Sequence, residues 1–479
     1  MNAFSSFTWL FTIVVIFVSI LIVLDNRNSS RTVAWLLILI FVPVLGLFLY
    51  LYIGQNHRKK KTFKIKQKQD YRILKNLLGA QVFFLKYVDY LNSGDGSVKE
   101  KVIPLLINNA DSPITTNNDV KILLNGDETF KEIIRAIKCA KHHIHMEYFI
   151  IKDSDIGRRI QTHLIKKAKE GVEVRLIYDA VGSWELNKDF FKPMIEVGIK
   201  VKAFLPVTLP FFGSRLNYRN HRKVLVVDGK IGFLGGLNVG DEYLGKEKKF
   251  GFWRDTHLKI TGEAIYVLQV IFLRDWFFVS KEELESKEYF PSQGYCGITP
   301  VQITASGPDV YWQSIHQGIF TAISSANKCI YITTPYLVPD ESILLALKTA
   351  ALRGVDVRVL MPHKPDHRTV FCASKSYYME LLETGVKIYQ YKKGFIHSKT
   401  IVIDDDFTTI GTTNIDIRSF QLNFEVNAFV YNSEISAEMK KHYFEDLKDS
   451  TEITLEELSK RSVFDRMKES LARLFSPIL

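Results

Sequence analysis

One pattern occurs twice in this chain and limits its fold more than any other feature. His221-Arg-Lys-Val-Leu-Val-Val-Asp228 is matched by His397-Ser-Lys-Thr-Ile-Val-Ile-Asp404. Each copy continues, at the same spacing, to a glycine and an asparagine: Gly235 and Asn238, Gly411 and Asn414. At about 5% usage per residue type, five fixed positions coincide at a given start with odds on the order of 10⁻⁷, so the agreement is a duplication. It extends further. Residues 144–153 resemble 331–340, and Gly171-Val-Glu-Val-Arg175 matches Gly354-Val-Asp-Val-Arg358. From about residue 120, short apolar runs alternate with helical stretches. Residues 120–124, 143–151 and 172–178 read as strands, and 128–140 and 156–169 as helices. The alternation predicts an α/β fold, present twice, over 116–290 and 291–479.

The residue types kept in both copies point to phosphate chemistry. A strand period of two puts His221 and Lys223 on one face, and likewise His397 and Lys399. An ammonium beside a histidine disfavours the charged ring, which leaves a neutral imidazole free to act as nucleophile or base. Lysine is a compact cation suited to a phosphate oxygen, and Asn238 and Asn414 can each donate a further hydrogen bond. Two histidines are what a two-step displacement at phosphorus needs. One attacks; the other protonates the leaving alkoxide and then deprotonates the acceptor. Asp228-Gly229 also reads as a hairpin turn after a strand over 224–227, so this motif aspartate belongs either to the chemistry or to the turn. No carboxylate cluster of metal-ligand type accompanies the motifs, so a metal is not required. His142, His143 and His145 open an apolar strand without cysteine or spaced carboxylate partners and read as structural. Residues 232–240 have the wrong glycine spacing for a dinucleotide loop.

The N-terminus has a different character. Residues 7–24 carry no charge over 18 positions, and 33–53 none over 21. The second run makes roughly 31 Å of helix, enough to cross a bilayer core. The polar stretch 25–32 is too short for a domain, so residues 1–56 read as a hairpin of two transmembrane helices, with Pro43 and Gly46 able to kink the second. The first ten residues have neither the basic start nor the cleavage site of a signal peptide. A basic cluster follows at 58–68, inside a juxtamembrane linker expected over 57–115. Positive charge at a membrane exit marks the cytoplasmic side, which puts both termini and the catalytic body there. The net charge of +11 calls for an anionic partner, nucleic acid or acidic lipid. The four cysteines, Cys139, Cys296, Cys329 and Cys372, are far apart and fit a reducing compartment. At the other end, Phe464, Met467, Leu471 and Leu474 fall on one helical face flanked by Arg466, Lys468 and Arg473. Such a helix either lies in a membrane interface or packs on the body.

H-x-K-x4-D-x6-G-x2-N in two copies resembles the phospholipase D superfamily. Asn217-Tyr-Arg-Asn-His221-Arg-Lys, Gly235-Gly-Leu-Asn-Val-Gly-Asp-Glu-Tyr243, Trp253-Arg-Asp255, Ser306-Gly-Pro-Asp309 and Asn414-Ile-Asp-Ile-Arg-Ser-Phe-Gln-Leu-Asn-Phe-Glu425 narrow it. With the two N-terminal runs and Ser476-Pro-Ile-Leu479, they resemble bacterial cardiolipin synthases over essentially the whole chain. The resemblance implies two tandem phospholipase D-like α/β/α repeats forming one pseudo-twofold catalytic body. It implies catalytic roles for His221, Lys223, Asp228, His397, Lys399 and Asp404, and a phosphohistidine intermediate at one shared site. Lys223, Lys399, Asn238 and Asn414 would hold the phosphate. Asp255 and Glu425, each beyond its motif, would orient the motif histidines; the alternative is ion pairing with neighbours such as Arg254 and Arg418. The implied reaction passes a phosphatidyl group from one phosphatidylglycerol to another, giving cardiolipin and glycerol, with no cofactor, no metal and no nucleic acid partner. A hydrolytic phospholipase D and a nuclease are the rivals, and a membrane hairpin argues against the nuclease. One position departs from the pattern: Gly236 stands where many members carry serine, whereas Thr412 keeps a hydroxyl in the second copy.

Overall fold

A computed structural model describes residues 3–25, 29–50, 97–206 and 217–476. The duplication is visible strand by strand. The first repeat forms a seven-stranded sheet in the order Asn118–Leu124, Thr256–Gly262, Ile231–Gly235, Lys223–Val227, His143–Tyr148, Glu173–Asp179, Lys200–Phe204. The second gives the same order with Val301–Ser306, Glu425–Val430, Phe407–Gly411, Thr400–Ile403, Cys329–Thr333, Asp356–Pro362 and Lys387–Tyr391. Ile114–Thr115 and Ser450–Ile453 extend its two edges. In each sheet three strands joined through helices run parallel, as right-handed β-α-β crossovers require. The motif strand returns antiparallel beside the first of them, with Val227 opposite Ile144 and Ile403 opposite Ile330.

Each sheet is apolar on both faces because both are covered. On the outer face of the first repeat, helices Asn125–Cys139 and Asp155–Lys169 bury Phe130, Ile133, Ile137 and Ile160 against Met146 and Leu176. The inner faces share one core, in which Val224, Val226, Leu258 and Ile260 meet Ile303, Val402, Ile410 and Val426, with helix Ala264–Ser280 alongside. At about 1.5–3 kcal/mol per fully buried aliphatic side chain, this shared core makes the two repeats one body. Short main-chain contacts also cross the seam. Phe252–Arg254 pairs in parallel with Gly394–Ile396, and Asn220 bridges to Phe424.

The described end of the segment expected as a linker over 57–115 is folded into the body, and 57–96 lie outside the described residues. Val98–Ala110 is a helix whose Val98, Val102, Ile103 and Leu106 lie in the core of the second repeat, and Ile114–Thr115 pairs with Val301 and Gln302. The spacing of those apolar residues is helical, but the residues they pack against lie far away in the chain. At the N-terminus, helices Ala3–Asp25 and Ser29–Phe41 pack together around Val18, Ile22 and Leu39. A break at Val42 separates the latter from Pro43–Leu49, where the proline starts a new helix. Among the described residues, no helix is long and apolar enough to cross a membrane. Residues 51–53, the basic cluster at 58–68 and the closing 477–479 lie outside the described residues.

Candidate active site

The two motif strands start at the seam between the repeats. There each motif histidine is held by the main chain of the opposite repeat: His221 donates its N–H to the Phe424 carbonyl at 2.9 Å, and His397 donates to the Arg254 carbonyl at 2.7 Å. The next residue on each accepting segment is an acid, Glu425 or Asp255, and its side chain turns to the imidazole. His221 Nδ1 lies 3.0 Å from both carboxylate oxygens of Glu425. His397 Nδ1 lies 2.9 Å from Asp255 Oδ2. The acids therefore cross over. Each orients the histidine of the other repeat, so neither half contains a complete histidine–carboxylate pair. The alternative partners are engaged elsewhere: Arg254 Nε donates to Asp446 at 2.8 Å, and Arg418 to the Asn217 carbonyl at 3.3 Å.

Burial sets the protonation states. Phe149 stands edge-on 5.0 Å from His221, and Trp253 lies 5.2 Å from His397. Burial, opposed by Glu425 and aided by Lys223 and Lys399, pushes His221 down to about 4. Burial and Lys399, opposed by Asp255 and aided by Lys223, push His397 down to about 4 as well. Each histidine feels the lysine of the other repeat, so the four residues belong to one site. Lys399 is itself lowered to about 8 by burial, and Lys223 is held well below the usual lysine range. Burial raises Asp255 and Glu425, but their histidine partners and nearby lysines outweigh it and keep both below the ordinary carboxylate value. Near neutral pH the site thus holds two neutral imidazoles, each backed at Nδ1 by a carboxylate, with Nε2 left to face a substrate.

The lysines point inward. Lys223 Nζ donates to the His221 carbonyl at 2.7 Å and sits 5.2 Å from the Phe149 ring centre. Lys399 Nζ donates to the His397 carbonyl at 2.6 Å and approaches His397 Nδ1 at 2.9 Å. Both amino groups keep hydrogens for a phosphate, whose negative charge favours the ammonium form of each.

The remaining motif residues are placed differently from the catalytic expectation. Asp228 accepts the backbone N–H groups of Lys141, His142 and His143, and Asp404 those of Asn327, Lys328 and Cys329. Both occur at the far end of the motif strand with positive φ, 54° and 50°, in the turn that leads to the next strand. Their carboxylates hold the start of the neighbouring strand and touch neither histidine, so the turn reading replaces the chemical one. Asn238 accepts from Ile150 N–H and donates to the Tyr243 hydroxyl, both at 3.1 Å, which fixes the loop carrying Phe149. Asn414 is buried, bonds Asp416 and keeps an amide oxygen without a protein partner. Phosphate contact by Asn238 rests on its one remaining amide hydrogen.

Other residues support the acids, among them Thr412 and Gly236, the pair at which the two copies differ in sequence. The Thr412 hydroxyl donates to Glu425 Oε2 at 2.5 Å, and Asn423 Nδ2 donates to Oε1 at 3.1 Å. In the first repeat a side chain at position 236 would place its Cβ 2.1 Å from Asp255 Oδ1, so Gly236 makes the room that this carboxylate occupies. The Gly236–Thr412 contrast in the sequence thus reflects how each repeat accommodates the acid behind its neighbour's histidine. Arg222, on the opposite face of its strand, is buried against Asp275 and donates to the Glu425 and Ser306 carbonyls at 3.2 and 3.3 Å, which ties the motif strand to the other repeat. The three histidines at 142, 143 and 145 lie apart from this site. His143 and His145 are buried against Gln269, His145 stacks on Phe272, and His142 pairs with Glu288.

Known proteins resemble this chain in sequence and in fold. A family model described as cardiolipin synthase, PLD-like domain, matches residues 133–276 and 319–447, and one described as phospholipase D-nuclease N-terminal matches 5–55. A cardiolipin synthase of Halalkalibacterium halodurans is 45% identical over 99% of this chain and 94% of its own length. That of Staphylococcus aureus is 44% identical over 99% and 97%. Among solved structures, a phosphatidylserine synthase of Haemophilus influenzae superposes with a TM-score of 0.58 at 15% identity, covering 79% of this chain and all of that one, which is a likeness of fold. With two matched domains, near-complete coverage by relatives and two histidine–lysine motifs at one seam, this chain belongs to the bacterial cardiolipin synthases of the phospholipase D superfamily.

Proposed function

We propose that the protein is a membrane-anchored phosphatidyltransferase that makes cardiolipin from two molecules of phosphatidylglycerol. The single observation that carries the reading is the crossed pairing of His221 with Glu425 and of His397 with Asp255, which makes one two-histidine centre out of two half-sites. One neutral imidazole attacks phosphorus through Nε2 while its Nδ1–H donates to the carboxylate behind it, so the charge forming on the ring is countered. The P–O bond to the headgroup glycerol breaks, and the other histidine supplies the proton that the glycerol carries away. In the empty site that histidine is neutral; the incoming phosphodiester anion favours its protonated form. Once glycerol has left, the same histidine, now neutral, takes the proton of a second phosphatidylglycerol hydroxyl. That oxygen attacks the phosphohistidine, the P–N bond breaks, and cardiolipin forms. Lys223 and Lys399 stabilise the charge on the phosphoryl oxygens. The apolar wall of Phe149 and Trp253 disfavours water as the competing acceptor.

The uncharged runs at 7–24 and 33–53 support anchoring by two helices, with the body on the cytoplasmic side. Incubation of the purified protein with phosphatidylglycerol vesicles tests the function. Cardiolipin and glycerol in equal amounts support it, and phosphatidic acid without cardiolipin refutes transfer.

A further inference from the structure

The C-terminal helix Val463–Leu474 is amphipathic, yet it is docked by its polar side. Glu469 and Ala472 are buried against the body, Glu469 pairs with Arg461, Arg473 pairs with Glu380 at 2.9 Å, and Ser476 meets the Tyr377 hydroxyl at 3.3 Å. The apolar side faces outward. Val463 is 78% exposed, Phe464 70%, Met467 51%, Leu471 52%, Leu474 74% and Phe475 53%. An amphipathic helix in a water-soluble body points its apolar stripe inward, so this orientation calls for an apolar partner outside the body. The chemistry of the rim identifies it. A period of 3.6 residues puts Arg466 along one edge of the stripe and Lys468 along the other, both exposed. Cations on both flanks of an aromatic and aliphatic face suit anionic headgroups above acyl chains. They would oppose one another across a contact between two copies of the chain.

The helix is also connected to the reaction centre. It packs on helix Arg368–Lys375. Just before the latter, Asp366 accepts a hydrogen bond from the Tyr336 hydroxyl, and its charge acts on Lys399. A surface that seats Val463–Leu474 on a bilayer therefore fixes the site's distance and tilt relative to the lipid.

We propose that Val463–Leu474 is an in-plane membrane anchor, docked through its exposed apolar face into the headgroup–acyl boundary of an anionic bilayer. It orients the catalytic centre toward its lipid substrate. The inference rests on the membrane reading above. The test uses the full chain in phosphatidylcholine–phosphatidylglycerol vesicles that contain phosphatidylglycerol with a photoreactive acyl chain, and adducts are mapped by peptide mass spectrometry. Adducts are expected at 463–475 and at the N-terminal helix, with those at 463–475 lost in the triple variant Phe464→Glu, Leu471→Glu, Leu474→Glu. That variant should also need about tenfold more phosphatidylglycerol for half-maximal rate in vesicles, while its rate in detergent micelles holds. Adducts at residues 3–25 without any at 463–475 overturn this proposal and leave the N-terminal anchor standing. No adducts at either segment overturn both.

Discussion

Glu425→Gln is the substitution that most sharply probes the crossed pairing. The carboxylate is fully buried, 3.0 Å from His221 Nδ1, and it further accepts from Thr412 and Asn423. The amide keeps the size and the shape. It removes the charge that opposes an imidazolium on His221. At 3.0 Å, with an effective dielectric constant of about 20, that attraction is roughly 5 kcal/mol before the amide dipole returns part of it. General acid–base roles of this kind contribute about 10²- to 10⁴-fold, so a fall in maximal rate of that order is expected, with the half-saturating phosphatidylglycerol fraction little changed. The assay is initial rate against phosphatidylglycerol mole fraction in mixed micelles. The crossing itself is read from a double-substitution cycle on thermal unfolding. His221→Ala should couple to Glu425→Gln by about 1.5–3 kcal/mol and to Asp255→Asn by close to none. A maximal rate within a few-fold of the parent, or coupling of His221 to Asp255 in place of Glu425, would refute the reasoning.

Other substitutions and conditions separate chemistry from scaffold. Asp228→Ala should cost about 1–3 kcal/mol of stability in a denaturant titration, because three backbone N–H groups lose their acceptor, yet the folded fraction should turn over at near the parental rate; loss of turnover without loss of stability contradicts the turn role. Folding should weaken in mild acid. His221, His397 and His257, which is buried in strand Thr256–Gly262, sit at about 4 in the folded state against 6.5 in an unfolded chain, so their stability is fully present above pH 6.5 and is lost as pH falls toward 4, by up to about 1.4 kcal/mol per unit for each. A melting temperature that holds or rises from pH 7 to pH 5 contradicts this. Activity should survive EDTA in a detergent–lipid assay, because Lys223 and Lys399 supply the positive charge at the phosphate; complete loss, restored by one equivalent of a divalent ion, contradicts it.

The duplicated fold was legible because α/β alternation and the motif repeat are local signals. The strands expected at 120–124 and 172–178 appear as Asn118–Leu124 and Glu173–Asp179, and the C-terminal helix expected over 463–475 as Val463–Leu474. Crossing of the acids was not legible. Asp255 and Glu425 follow their own motifs in the chain, and only the pseudo-twofold seam brings each to the other's histidine. The motif aspartates misled for a related reason. Asp228 and Asp404 keep an identical spacing because the turn and the three amides behind it are duplicated too, and spacing alone does not distinguish a conserved support from a reacting group. Val98–Ala110 was hidden because its partners, helix Ser314–Ser325 and strand Val301–Ser306, are about two hundred residues away in the chain.

The central claim is that two half-sites form one reaction centre that works through a covalent intermediate. Rapid mixing of the enzyme with phosphatidylglycerol labelled both in the headgroup glycerol and at phosphorus, followed by a denaturing quench at mildly alkaline pH that preserves a P–N bond, measures it directly. The account predicts a burst of one glycerol per chain, matched by one phosphatidyl group on a single histidine, either His221 or His397, and absent from both His221→Ala and His397→Ala. A burst of two per chain, or phosphorus label retained at His397 in the His221→Ala protein and at His221 in the reverse, would mean two independent sites and would contradict it.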